Sequence, residues 1–280
     1  ELPGPLVDAD WLAEEGAAVR VVEVHPDAAG EPTIPGAAVV GMAALRMTHE
    51  VGDETFDDLA LDATSFQALM RELAIDGDDD VVVAWTGKGA SGVSDAAYLY
   101  WQLRLYGHDE VALLAGGVAG VAAMAEGWPV PAPSEGPAFT AELQDGYRIT
   151  TPALATLVAA GNAPALVDNR PLAYHVGLAR KDYVARDGHI PGSTLLPFDF
   201  LVTGSDGATF RPADRLKTLA MDLRVPVAGP VVAYCNSGRV SALGWFVMNE
   251  LLGVETLLYD GSLHAWAQAE ARPMTTRLEM

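Results

Sequence analysis

At 280 residues the chain is long enough for two domains that each bury a core, and an apolar half with a charged fifth is the composition of a globular protein. A net charge of −21 works against nucleic acid or an anionic membrane surface as partner, and no run of about 18 apolar residues offers a membrane span. A single cysteine excludes an internal disulfide, a CxxC redox pair and a cysteine-rich zinc site; the six histidines show no HxxxH or HExxH pairing, so no metal is expected.

Taken in chain order, residues 21–25 (Val-Val-Glu-Val-His) predict a short apolar strand, followed by a turn at Thr33-Ile34-Pro35-Gly36-Ala37. Residues 64–74 predict a helix with Phe66, Leu69, Met70 and Leu73 on one face and Ser65 as a cap. A β-branched strand at 81–86 and another at 113–117, ending in Gly116-Gly117, complete the series. The same series then returns. Residues 165–170 (Ala-Leu-Val-Asp-Asn-Arg) match the first strand, His189-Ile190-Pro191-Gly192-Ser193 the turn, 231–235 the β-branched strand, and 257–261 the last. A helix at 241–252, with Leu243, Phe246, Val247, Leu251 and Leu252 at helical spacing, separates those last two. Four correspondences in the same order indicate a duplicated domain.

Four prolines among residues 128–137 cannot form helix or central strand. A stiff linker at 129–137 is therefore expected between a first domain, 1–128, and a second, 138–280. Strands alternating with helices predict an α/β fold in which each domain is a parallel sheet flanked by helices. Charge divides unevenly: residues 1–137 hold five Lys/Arg against 24 Asp/Glu, and 138–280 hold twelve against 14. An acidic surface serves solubility or tolerance of salt, and it is equally compatible with a second half that keeps its cations for an anionic substrate.

A lone cysteine is by base rate a small buried hydrophobe. Cys235, however, follows directly on a strand, where ligands sit in parallel sheets, and is followed by Asn236, Ser237, Gly238, Arg239, Val240 and Ser241 before the helix. Such a loop is expected to point backbone N–H groups inward as an anion nest and to favour the thiolate, with Gly238 permitting the curl and Arg239 adding charge at the rim.

The loop 235–241, the Asp168-x-Arg170 strand end, Gly188-His189-Ile190-Pro191-Gly192, and Tyr259-Asp260-Gly261 with Trp266 together resemble the rhodanese family over nearly the whole chain. The layout resembles its tandem members, thiosulfate and 3-mercaptopyruvate sulfurtransferases. The resemblance implies two rhodanese-like domains, a first that is inactive because Thr86 stands at the cysteine position and a second that is catalytic. It also implies that Cys235 carries sulfur as a persulfide in a ping-pong cycle with no metal or organic cofactor. The donor is then a small anion, and the acceptor cyanide, a thiol or a sulfur-carrier protein. Related phosphatases use a longer loop with arginine six residues after the cysteine; that position here is Ser241 and Arg239 sits at plus four.

Arg239 is the foremost candidate for holding the donor anion, followed by Arg186, then Arg180 and Lys181; for each the competing reading is a solvated surface charge. Asp168 and Arg170 are expected to pair and brace the loop, and His189 to brace the turn as a hydrogen-bond donor. Trp245 and Trp266 read as core. Thiosulfate-preferring relatives tend to carry two basic residues after the cysteine and 3-mercaptopyruvate enzymes Cys-Gly-Ser/Thr-Gly; Asn236 departs from both. The latter also use an acid and a histidine of the first domain, whereas residues 37–42 hold no acid and only His49 lies nearby. Thiosulfate is therefore the expected donor, with 3-mercaptopyruvate as the alternative and a persulfide carrier without turnover as a further one. The chain begins at Glu1 rather than Met, which we read as processed or trimmed, and the loop and its flanks resemble exported bacterial tandem rhodaneses. A periplasmic location is expected, with the cytoplasm as the alternative.

Overall fold

The computed structural model describes residues 1–125, 128 and 138–278; the linker expected at 129–137 lies outside them. The first copy runs β1 (Leu6–Val7), α1 (Ala9–Glu15), β2 (Arg20–His25), β3 (Ala38–Gly41), β4 (Arg46–Val51), β5 (Glu54–Ala60), α2 (Ala63–Glu72), β6 (Val81–Trp85), α3 (Gly89–Leu105), β7 (Val111–Leu114) and α4 (Gly117–Val121). The second runs α5 (Thr151–Ala159), β8 (Ala165–Asp168), α6 (Leu172–His175), β9 (Thr194–Leu195), β10 (Val202–Thr203), β11 (Thr209–Phe210), α7 (Ala213–Asp222), β12 (Val231–Tyr234), α8 (Arg239–Phe246), β13 (Thr256–Leu258) and α9 (Ser262–Trp266).

The duplication is written into the sheets. Parallel strands lie in the order β1-β7-β6-β2-β3 in one and β13-β12-β8-β9 in the other, so β6 and β12 are central counterparts. Every residue of both central strands is buried, as a sheet covered on both faces requires. Val82, Ala84, Ala112 and Leu114 help form the first core; Leu166, Val232, Tyr234, Tyr259 and Trp266 help form the second. Both tryptophans read as core are fully buried, and Trp245 Nε1 donates to the Thr256 carbonyl at 2.7 Å.

Two local readings change. Asp62, not Ser65, caps α2: its carboxylate accepts the Ser65 N–H at 2.7 Å, placing the helix start one turn position earlier. The helix expected at 241–252 begins at Arg239 and gives way to a π-helical turn at Val247–Leu251. Among the described residues no helix is long and apolar enough to cross a membrane.

The compact units also differ from the sequence domains. One comprises Glu1–Arg46, Ala60–Asp145 and Val202–Phe210; the other comprises Met47–Leu59, Gly146–Leu201 and Arg211–Met280. The β4–β5 segment thus belongs mostly to the second unit, and the β10–β11 hairpin to the first. Glu54 and Arg272 form an ion pair at 2.6 Å within the second unit, while Lys88 and Asp206 pair at 3.2 Å within the first.

Candidate active site

Parallel pairing of β12 between β8 and β13 brings three strand ends together, and Cys235 leaves β12 at that edge. Its side chain is 1% exposed; Asn236 and Ser237 are nearly as buried, whereas Arg239 and Val240 are half-buried. Helix α9 closes over the loop: Leu263 N–H donates to the Cys235 carbonyl at 3.2 Å and His264 N–H to the Asn236 carbonyl at 2.8 Å.

The loop turns at Gly238, whose φ of +79° is open to glycine and strained for other residues. A Cβ there would stand 2.7 Å from the Asp260 carbonyl oxygen. Gly238→Ala therefore combines backbone strain with a backbone clash, and is expected to lower stability by about 1–3 kcal/mol and displace the cysteine loop. Thermal denaturation checks the first part, and an unchanged melting temperature would contradict it.

Sequence reasoning expected N–H groups of 236–241 to face inward. Gly238 is the exception: its N–H, like that of Cys235, donates to the Ser262 hydroxyl, each at 3.0 Å. Those two donors are spent on Ser262. Residues 239–241 form the first turn of α8, where N–H groups have no partner within the helix, and the Ser241 hydroxyl donates to the Gly238 carbonyl at 3.1 Å.

Behind the loop lies a buried charge network. Arg170 and Asp168 pair through two guanidinium nitrogens, the shortest contact 2.6 Å, and Arg170 also donates to the Gly188 carbonyl at 2.9 Å and to Asn236 Oδ1 at 3.5 Å. His175 Nδ1 meets the same Asp168 oxygen at 2.8 Å. Burial alone would raise the Asp168 carboxyl, but Arg170 and the hydrogen bond from His175 outweigh it and hold it below the ordinary carboxylate range. Burial would likewise lower Arg170, and Asp168 overcomes it. His189 stacks on His175 with ring centroids 3.6 Å apart and donates from Nδ1 to the His175 carbonyl at 2.7 Å.

Burial keeps His189 below the usual imidazole range, and His108 of the first unit as well. The unfolded chain therefore takes up these protons first. Stability from both is complete above about pH 6.5 and declines as pH falls through their lower folded values; Asp168 adds a second loss below about pH 3.9. Melting temperatures measured from about pH 8 downward should fall along this course, and His189→Gln should flatten the upper part.

The other expected cations are engaged elsewhere. Arg186 donates to the carbonyls of Ala267, Trp266, Ala269 and Arg272 at 2.8–3.3 Å, gathering the chain end of α9. Arg180 donates to the Val184 carbonyl and pairs with Asp187 at 3.1 Å. These bonds tie Arg180 to its own segment and Arg186 to residues 266–272, away from the cysteine loop. Lys181 is exposed, as are its immediate neighbours along the chain. His49 stands on β4 beside a cavity of about 100 Å³ lined also by Arg148, Thr151 and Asp260. Three residues of the site were missed in sequence: Ser262, His175 and Arg148, which grips the buried Asp260 carboxylate at 2.8 Å. Their partners lie far along the chain or in an undistinguished helix, and only the Asp260-Gly261-Ser262 turn gave any signal.

In the first unit the matching loop starts at Thr86, whose N–H donates to the Val24 carbonyl at 3.2 Å. Gly87 and Gly92 touch across it so closely that neither has room for a Cβ. This loop carries no thiol, and its backbone packs closely against the start of α3.

A model of the Rhodanese-like domain matches residues 150–269, the segment that holds this loop and network. The chain is 30% identical to "Putative thiosulfate sulfurtransferase" of Haloferax volcanii, with 96% of this chain and 95% of that protein aligned. It is 32% identical to "Sulfur carrier protein TtuD" of Thermus thermophilus over 97% and 96%. In fold it is similar to the 3-mercaptopyruvate sulfurtransferase SseA of Escherichia coli (TM-score 0.73, 23% identity, 92% of this chain and 98% of that one). Tum1 of Saccharomyces cerevisiae is similar as well (TM-score 0.75, 21% identity, 99% and 100%). The chain belongs to the rhodanese family and is a sulfurtransferase.

Proposed function

We propose that this sulfurtransferase moves sulfane sulfur from thiosulfate to cyanide or a thiol through a persulfide on Cys235. The observation that carries the reading is the position of the chain's one thiol, at the end of the central strand β12 under the first turn of α8. In the first half-reaction the Cys235 thiolate attacks the outer sulfur of thiosulfate. A new S–S bond forms, the donor's S–S bond breaks, and its electron pair leaves with sulfite. In the second, the acceptor attacks the outer persulfide sulfur and the thiolate returns, so no metal, redox cofactor or proton carrier is consumed.

Donor N–H groups at the start of α8 and the Arg239 charge favour an anion beside the sulfur. Arg239 begins that helix, four residues after Cys235, and as the cation of the loop itself is the best-placed one for the donor. A single arginine in this loop, with Asn236 after the cysteine, supports thiosulfate over 3-mercaptopyruvate only by charge. The likeness to a sulfur carrier supports a second reading, in which Cys235 receives sulfur from a protein and passes it on without turning over small donors.

One experiment separates these readings: cyanide-dependent turnover with thiosulfate and 3-mercaptopyruvate side by side, with whole-protein mass after each donor. Turnover with thiosulfate and a one-sulfur adduct on Cys235 is expected. Turnover with 3-mercaptopyruvate alone would overturn the donor assignment, and an adduct without turnover would favour the carrier. In the same assay Arg239→Ala should raise the thiosulfate KM about tenfold or more.

A further inference from the structure

Ser262 occupies a conformation that serine does not favour. Its φ is +48°, in the left-handed region where glycine carries no steric cost, and the residue is completely buried. Its hydroxyl accounts for that choice. The oxygen accepts the N–H groups of Cys235 and Gly238, both at 3.0 Å, which uses both lone pairs. Its one hydrogen faces two acceptors, the Tyr259 carbonyl at 2.8 Å and Cys235 Sγ at 4.0 Å. One side chain therefore fixes the backbone of the reactive residue, fixes the turn of its loop and holds a donor beside the sulfur.

We propose that Ser262 is part of the sulfur-handling machinery: its hydroxyl hydrogen, held on the Tyr259 carbonyl, also faces Cys235 Sγ and is drawn toward it when negative charge collects there. No covalent bond changes in this step; the hydrogen stays on the Ser262 oxygen and is shared between its two acceptors. Because the two accepted N–H groups use both lone pairs, the O–H keeps its direction and the sharing needs no backbone movement. A hydrogen bond to a charged sulfur is stronger than one to a neutral sulfur, so the contact tightens as charge collects on Sγ. The inference rests on the reading of Cys235 as the nucleophile, but it concerns the thiol before any donor is bound.

Alkylation of Cys235 by iodoacetamide tests it, since the chain has no other cysteine and whole-protein mass reports that residue alone. Ser262→Gly removes the hydroxyl and relaxes the backbone; Ser262→Thr keeps the hydroxyl and strains it. At neutral pH, Ser262→Gly should be alkylated about tenfold more slowly than the native protein. Ser262→Thr should stay within about twofold of native despite a lower melting temperature. The sign is informative, because simple loosening of a buried site would speed alkylation. A Ser262→Gly rate equal to or above native, or a Ser262→Thr rate as low as that of Ser262→Gly, would overturn the proposal. Absence of sulfur transfer by the native protein would strike the proposed function instead, and would show in the turnover assay rather than here.

Discussion

Cys235→Ser is expected to abolish sulfur transfer, lowering kcat by at least about 10⁴-fold, while the protein stays folded. Serine is nearly isosteric with cysteine, and the residue is almost wholly enclosed, so the replacement disturbs packing little. Chemically the change is severe. A hydroxyl is a poor nucleophile toward sulfur at neutral pH, and the imidazoles behind the loop are engaged elsewhere, His175 with Asp168 and His189 with the His175 carbonyl. No second thiol exists to take over. Steady-state thiocyanate formation, with circular dichroism as a control for folding, makes the comparison. Turnover surviving in the folded variant would refute the persulfide mechanism.

Arg170→Ala is expected to produce the largest loss of stability, about 3–5 kcal/mol. It would leave the Asp168 carboxylate fully buried, held by His175 and the residue-170 N–H without a guanidinium, and it would remove the donors to Gly188 and Asn236. Against a usual total of about 5–15 kcal/mol, that is a large fraction, equivalent to roughly 10 °C or more in melting temperature. Activity should fall as well, because Asn236 adjoins the cysteine. The double replacement Asp168→Ala with Arg170→Ala should cost less than the two single losses added together, since no unpaired charge remains. Chemical denaturation of the four proteins provides the cycle, and strict additivity would mean that the pair is not coupled.

What could be read in the sequence was whatever is encoded locally. Strand runs such as 81–86 and 231–235 carry their own β-branched, apolar signature, and their recurrence in a fixed order exposes the duplication and the parallel sheets. Cys235 was legible for the same reason, through its place between strand and glycine-containing loop. The supports of the site were not. Ser262 reaches the cysteine from 27 residues away by adopting a left-handed backbone, a state that a serine codon does not advertise. His175 sits in a helix of four residues, and only the folded chain brings it to Asp168 and His189. Arg186 shows the converse: next to the Gly-His-Ile-Pro-Gly turn it looks unengaged in sequence, yet it donates to four carbonyls of a segment about 80 residues on.

The segments β4–β5 and β10–β11, each grouped with the unit built mainly from the opposite copy, carry a consequence for how this chain can be divided. A break near residue 130 separates the two sequence repeats but not the two compact units. Either fragment would lack a piece of its own compact body while retaining a piece of the other's. Cut there, the fragments are therefore expected to fold less stably than the intact chain.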